Sequence, residues 1–120
     1  MYNSRLIGTE YEKKAAEYLL TEGYEILNMN YRVRAGEIDI VAKHGKYLVF
    51  VEVKYRSNSH KGMPQEAVDI RKQRQICRVA LYYLKQYKYP TDVPVRFDVI
   101  TVHDGNISHI ENAFEYVSNW

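Results

Sequence analysis

Two charged residues lie at the end of an apolar segment, where burying an unpaired charge would cost free energy. Residues Leu48 to Val51 are all apolar, which is typical of a strand buried on both faces, and Glu52 and Lys54 follow directly. Two residues apart on a strand, their side chains project from one face, roughly 6.5 to 7 Å apart. Burying an unpaired charge costs several kcal/mol, so Glu52 and Lys54 need a partner. They either pair with each other as a structural ion pair or face a metal ion.

A third charged residue, Asp39, lies between β-branched residues in the preceding apolar segment, Glu37 to Ala42. The segment His44–Lys46 is typical of a turn, and Asp39 lies six residues before Gly45 while Glu52 lies seven after it. A hairpin would therefore make the two acids cross-strand neighbours. Two adjacent carboxylates repel each other, and protonation of one or a bound cation removes the repulsion.

These residue types are suited to metal-dependent hydrolysis of phosphodiesters. A hard ion such as Mg²⁺ takes one or two carboxylates and completes its shell with water and phosphate oxygens. Lys54 beside it could orient the attacking water or offset charge in the transition state. Glu12 is a possible fourth member, because its spacing places it on the inward stripe of a predicted first helix. The competing Glu10 shares a face with charged residues and is predicted to be on the surface.

The elements that must position these residues predict an α/β fold, a mixed sheet flanked by helices in the order α-β-β-β-α-β. The first helix runs from about Ser4 to Glu22 and stops at Gly23. Later elements are two short extended pieces at Tyr24–Leu27 and Tyr31–Val33, strands Glu37–Ala42 and Tyr47–Lys54, a helix from Pro64 to about Tyr87, and a strand Val95–Val102. The inward stripe of the second helix is predicted to be Ile70, Cys77, Ala80, Leu81 and Leu84. The segment Ile107–Trp120 is ambiguous; it could add a short strand and then a partial turn of helix, with Phe114 and Trp120 covering the sheet.

Length and composition are those of one domain, residues 1–120, with 46% hydrophobic residues. No apolar run is long enough to span a membrane and no signal peptide is evident, so a cytoplasmic protein is expected. The single Cys77 cannot form an internal disulfide, and no cysteine and histidine spacing indicates zinc. Cys77 is predicted to be a small buried residue.

The middle of the chain is basic although the whole chain carries only +2. Residues 43–88 contain 11 Lys and Arg and 3 Asp and Glu, a net charge of +8. The rest of the chain contains 6 basic and 12 acidic residues. Such a segment is either an ordinary solvated surface or a surface for a polyanion, here nucleic acid, with phosphate contacts that read no sequence. The candidate nucleic-acid-binding residues are Arg56, Lys61, Arg71, Lys72, Arg74 and Arg78.

Other polar and aromatic residues are given structural interpretations. The four histidines, His44, His60, His103 and His109, fall in or near turns and are predicted to be on the surface. Arg96 and Asp98 are expected to form a structural pair on a strand at the sheet edge. The many tyrosines could stack on unpaired bases, but packing in the core and at its rim is the favoured interpretation.

Several segments together resemble the YraN-like family of small bacterial proteins. They are Gly8–Ala15, Gly36–Asp39, Val49–Arg56, Gly62–Pro64 with Lys72, and Arg96–Val99. That family is assigned to the PD-(D/E)xK, or restriction-endonuclease-like, superfamily near the archaeal Holliday-junction resolvases. The resemblance implies Glu12, Asp39 and Glu52 as metal ligands for Mg²⁺ or Mn²⁺, Lys54 as the catalytic lysine, and a homodimer. Ile38 replaces the nominal proline of the motif, a position that the superfamily varies freely.

Two functions from different classes follow. The first is a metal-dependent endonuclease acting on DNA, at branched or distorted structures in recombination or repair. The second is a nucleic-acid-binding or scaffold protein that keeps the nuclease fold without cleaving. A third, structural protein with an acidic core pair is less favoured. Retention of Glu12, Asp39, Glu52 and Lys54 together favours the nuclease, because a pure binding module has no need for carboxylates that face a phosphate.

Overall fold

The computed structural model describes the backbone of residues 4–56 and 68–116 and the side chains from residue 10 onward within those ranges. The predicted fold class is confirmed: a five-stranded mixed sheet lies between two helices. No helix in these ranges is long and apolar enough to cross a membrane. The elements are α1 (Ser4–Thr21), β1 (Glu25–Val33), β2 (Gly36–His44), β3 (Tyr47–Tyr55), α2 (Ile70–Gln86), β4 (Val95–His103) and β5 (Asn106–Phe114).

The strands lie in chain order across the sheet, β1-β2-β3-β4-β5. Neighbouring pairs are antiparallel except β3 and β4, which run parallel. A parallel connection needs a crossover, and α2 lies within it. The predicted hairpin is present, with His44 opposite Tyr47 across the turn. The segment that the sequence left open contains the fifth strand, β5, paired with β4.

Each face of the sheet has its own apolar core. On one face, Phe50, Val99 and Ile38 pack with Ile76 and Tyr83 of α2. On the other, Ala15 and Leu19 of α1 pack with residues of the same strands, including Ile40, Val49 and Val51. The central strand β3 supplies side chains to both cores, which explains its continuous apolar sequence.

The second helix begins later than predicted. Pro64 lies outside the described residues, but Val68 and Asp69 are not helical, and Asp69 is the N-cap, its carboxylate accepting from the backbone N–H of Lys72 at 2.9 Å. An aspartate at this position satisfies an amide that the first turn leaves unpaired. The predicted inward position of Ile70 is wrong, since that side chain is 50% exposed, while Cys77 and Ala80 are buried as predicted.

The two short extended pieces form one strand, β1, with an irregularity between Ile26 and Asn28. Asn30, within it, has a φ of 54°, a left-handed conformation that asparagine tolerates better than most residues. The strand therefore continues through Asn28 and Asn30, which lie between the two predicted pieces.

Arg96 and Asp98 form the expected pair, but not at the sheet edge, because β4 lies between β3 and β5. Arg96 donates to both oxygens of Asp98, at 3.0 and 2.9 Å. The prediction that all the histidines are on the surface is wrong for His109, whose side chain is 6% exposed and lies 2.7 Å from Asp98 Oδ2 and 3.0 Å from the hydroxyl of Tyr18. This buried network joins β4 and β5 to α1.

Candidate functional site

The site begins where β2 and β3 separate. Their pairing extends from the hairpin turn to Ile40 opposite Val51. Beyond this pair, the backbone N–H of Val53, two residues after Val51, donates at 2.8 Å to Oδ2 of Asp39, the residue before Ile40. The side-chain carboxylate thus occupies the place of a strand partner, which satisfies the amide where the ladder ends.

The strand also changes its packing at Asp39. Ile38 and Ile40 are two residues apart and would share a face on a regular strand, yet they pack in the cores on opposite sides of the sheet. In β1 the left-handed Asn30 lies between the residues paired with them. This local break in alternation lets an acidic side chain lie in the sheet while apolar neighbours fill both cores.

Three carboxylates converge beside this break. One oxygen from each of Glu12, Glu37 and Asp39 lies within 4.8 Å of the others. Asn30 connects two of them, since its side-chain amide donates to Glu12 at 2.7 Å and to Glu37 at 3.1 Å. Glu37 also pairs with Arg32 at 3.3 Å. The first helix and the second strand therefore supply the three acids of one acidic cluster, and the first strand supplies Asn30 and Arg32 as their partners.

The protonation of this cluster is perturbed. Burial is the main cause that raises the pKa of Asp39 to about 7; the nearby charge of Glu52 contributes to this rise and the hydrogen bond from Val53 opposes it. Burial likewise raises the pKa of Glu12, assisted by the charge of Asp39 and opposed by the Asn30 hydrogen bond. Both shifts indicate that, without a bound cation, the ionised forms of Asp39 and Glu12 are not compensated by nearby positive charge.

Glu52 lies beside this cluster and is paired with lysines. It is 7% exposed, and its Oε2 lies 3.5 Å from Lys54 Nζ and 3.8 Å from Lys72 Nζ. Lys54 comes from the same strand and Lys72 from the first turn of α2. The structural ion pair between Glu52 and Lys54 is therefore present, and a second lysine reaches the same carboxylate.

An open cavity of about 460 Å³ adjoins the lysines. Its lining is predominantly basic: Lys54, Asp69, Arg71, Lys72, Gln75 and Arg78. The acidic cluster and the basic cavity are thus connected through Glu52 and its two lysines. A polyanion in the cavity would meet the cations of its lining, two of which are the lysines paired with Glu52.

The structure brings together the four residues predicted to do chemistry, Glu12, Asp39, Glu52 and Lys54. Among the predicted nucleic-acid-binding residues, Arg71, Lys72 and Arg78 line the cavity. Arg74 is exposed on α2 without lining it, Arg56 follows the end of β3, and Lys61 lies outside the described residues.

Sequence reasoning missed two members of the site, Glu37 and Asn30. A signal for Glu37 existed, because it lies two residues before Asp39 on the same predicted strand. The position of Asn30 depends on its left-handed backbone and on the register of β1 with β2, which no local pattern shows.

The donor set fits a hard divalent cation. All of its candidate ligands are carboxylate oxygens, which Mg²⁺ and Mn²⁺ prefer over nitrogen or sulfur. The raised pKa of Asp39 is a second indication, since a nearby cation would stabilise its ionised form. Glu12, Glu37 and Asp39, whose oxygens converge, could hold such an ion, and Glu52 lies beside them.

Comparison with known proteins identifies close relatives of the chain. Residues 11–102 match the family described as "Uncharacterised protein family UPF0102". A UPF0102 protein of Lachnoclostridium phytofermentans is 51% identical over 94% of this chain and 96% of its own length. A UPF0102 protein from Thermodesulfovibrio yellowstonii is 49% identical over 90% of this chain and 95% of its own length. Among solved structures, Pyrococcus furiosus SfsA in complex with Ca²⁺ is 16% identical with a TM-score of 0.33, and the match covers 91% of this chain but 63% of SfsA.

Proposed function

The chain belongs to the uncharacterised protein family UPF0102, and we propose that it is a metal-dependent endonuclease that hydrolyses phosphodiester bonds in DNA. One observation carries the proposal: the half-buried Asp39, whose pKa is raised, belongs to the acidic cluster and is affected by the charge of Glu52, a carboxylate that two lysines reach. The carboxylates can hold a cation, and the basic cavity next to them can bind the phosphate that the cation would contact.

The roles of the residues follow from their positions. Asp39, Glu52, Glu12 and Glu37 would hold Mg²⁺ or Mn²⁺. The bound ion would supply Lewis acidity toward a phosphate oxygen and lower the pKa of a coordinated water. Lys54 would hold the attacking water or offset charge developing on the phosphate, and Lys72 would attract a phosphate oxygen at the mouth of the site.

The basic cavity supports nucleic acid as the substrate. Arg71, Lys72 and Arg78 line it beside Lys54, and contacts of this kind bind phosphates without reading sequence. We propose DNA with branched or distorted structure, in recombination or repair in the cytoplasm. For a symmetric four-way junction the proposal includes a homodimer, because a twofold substrate calls for two related active sites.

The second candidate is a nucleic-acid-binding or scaffold protein without cleavage activity. The ion pair of Glu52 with Lys54 favours it, since the same contact would stabilise the strand in a protein that had lost the metal. The raised pKa of Asp39 opposes it, because ionising this half-buried acid without a cation destabilises the fold at neutral pH.

The test is cleavage of labelled linear duplex, single strand, flap and four-way junction DNA with Mg²⁺ or Mn²⁺. Asp39→Asn and Lys54→Met should remove the products, while Glu17→Gln, an exposed acid on α1, should cleave like the wild type. Products that persist in Asp39→Asn would come from a contaminant. Binding of the DNA without metal-dependent products would favour the scaffold.

A further inference from the structure

The basic cavity continues along α2 as a regular stripe. Arg71, Gln75, Arg78, Tyr82 and Lys85 are spaced four, three, four and three residues apart, which places them on one face of a helix. We call this set the α2 stripe. From Arg71 to Lys85 it is about 21 Å long at 1.5 Å per residue.

The stripe is continuous with the candidate site. Arg71, Gln75 and Arg78 line the cavity that contains Lys54 and Lys72. Arg78 also lines a second depression, of about 330 Å³, together with Leu81, Tyr82 and Lys85. One arginine therefore joins the site to a surface with an apolar floor.

The charge of the stripe suits a polyanion. The helix carries five basic residues and no acidic one. Within residues 10–56 and 68–116, neither Arg71, Arg78 nor Lys85 forms an ion pair with a carboxylate. Their charges are thus available to phosphates.

Tyr82 has a different environment from the tyrosine next to it. Tyr83 is buried, its hydroxyl donates to Asn28 at 2.6 Å, and its ring packs against Phe50. Tyr82 is 51% exposed between two cations of the stripe. A half-exposed aromatic ring flanked by cations is the usual platform for an unpaired base, because stacking needs a free face and tolerates any base.

We infer that the α2 stripe binds a single-stranded segment of DNA that leads away from the scissile phosphate, with one unpaired base stacked on Tyr82. This inference rests on the proposed function and narrows its substrate to DNA with a single-stranded arm. At the rise of a stacked strand, about 3.4 Å per nucleotide, the stripe accommodates at most about six nucleotides. Blunt duplex would use only the cavity near Lys72, since its bases are already stacked on one another.

The experiment compares fluorescein-labelled duplexes of one sequence that are blunt or carry 5′ or 3′ tails of three, six or nine thymidines. Anisotropy titrations in Ca²⁺ measure binding, and denaturing gels confirm that the strands are intact. A six-nucleotide tail should improve affinity about tenfold, with little further gain at nine. Tyr82→Leu should lose that gain while binding the blunt duplex as before, and Tyr82→Phe, which keeps the ring, should retain it.

The matched control is Tyr87→Leu. Tyr87 is 47% exposed at the end of α2, but its ring packs on Tyr83 at 4.5 Å, so its removal should leave the gain from the tail unchanged. The inference is overturned if Tyr82→Leu binds tailed DNA like the wild type, or weakens blunt and tailed DNA equally.

Cleavage of the same duplexes in Mg²⁺ separates this inference from the proposed function. Cleavage that depends neither on the tail nor on Tyr82 would support the nuclease proposal and overturn the inference about the α2 stripe. A tail effect that depends on Tyr82, without cleavage, would support the stripe and overturn the nuclease. Failure of every duplex to bind would overturn both.

Discussion

The carboxylate of Asp39 accepts a 2.8 Å hydrogen bond from the backbone N–H of Val53, on the strand that carries Glu52 and Lys54. This bond fixes the acid against β3 at the point where the paired register of the two strands ends. Asp39 therefore has a structural role, capping the strand pair, as well as its proposed role in binding a metal. The two roles predict different effects of pH and of substitution.

The stability of the metal-free protein should fall as pH rises from about 4 to about 7. The unfolded chain releases the Asp39 proton near the ordinary value of 3.8, whereas the folded protein keeps it until its pKa of about 7. Between these values the folded state binds more protons, so the free energy of unfolding decreases with pH. Thermal melts in EDTA across this range measure the effect.

Asp39→Asn isolates this contribution from other titrating groups. The amide oxygen can still accept from Val53 but does not ionise, so the variant should match the wild type near pH 4 and melt at least about 5 °C higher near pH 8. A constant difference between the two proteins at every pH would show that Asp39 does not titrate in this range.

Divalent metal should reverse the loss of stability at neutral pH. A ligand at a hundred times its Kd stabilises the folded state by about 2.7 kcal/mol, so saturating Mn²⁺ should raise Tm by about 10 °C. Glu37→Gln should weaken this effect as much as Glu12→Gln does, because their oxygens lie equally within the cluster.

Glu17→Gln is the control for a lost surface charge in the metal titration and should respond to Mn²⁺ like the wild type. An unchanged Mn²⁺ midpoint in Glu37→Gln would leave Glu37 as the partner of Arg32 and Asn30 only. The ligands would then be the three acids implied by the family resemblance.

The two lysines at Glu52 should have different functions, Lys54 in cleavage and Lys72 in DNA binding. Lys54→Met should lower the rate of cleavage by about a hundredfold or more, with little change in DNA affinity. Lys72→Met should instead weaken binding and reduce the slope of log K against log salt by about 1, as expected for one phosphate contact. Lys46→Met, at the distant hairpin turn, serves as the control for both measurements. Equal losses of rate and affinity in both variants would contradict the separation.

Much of the fold could be predicted because its signals are local. The hairpin follows from two β-branched segments around Gly45, and that pairing alone was enough to place Asp39 near Glu52. The apolar run before Glu52 correctly indicated a strand buried on both faces. Asp39, Glu52 and Lys54 all lie on this one hairpin, which is why their proximity could be predicted.

The remaining features depend on contacts between distant segments. Ile70 falls on the apolar spacing of α2, but its side chain, at the first position after the Asp69 cap, is half exposed. His109 follows a turn signal, yet it is buried because α1 and β4 supply Tyr18 and Asp98 as partners. Such long-range pairing overrides the local preference of a polar residue for the surface.

The network around Asp98 should be essential for stability and separate from the proposed chemistry. Burial alone would raise the pKa of Asp98, but hydrogen bonds from His109, Arg96 and the backbone N–H of Asn112 lower it. Asp98→Ala would leave Arg96 buried without its partner, which should cost about 3 to 5 kcal/mol in urea unfolding. Because the pKa of Asp98 is lowered in the folded state, its contribution is present above pH 4 and is lost as pH falls further.

A double variant tests whether the cost comes from the unpaired charge. Arg96→Met with Asp98→Leu removes both charges and should be less destabilised than Asp98→Ala, since replacing a buried pair costs less than breaking it. Cleavage per folded molecule should be unchanged, because Arg96 and Asp98 contact Tyr24, which lies between α1 and β1, and His109 of β5, on the side of the sheet away from Lys72. A loss of cleavage in the folded double variant would instead connect this network to the site.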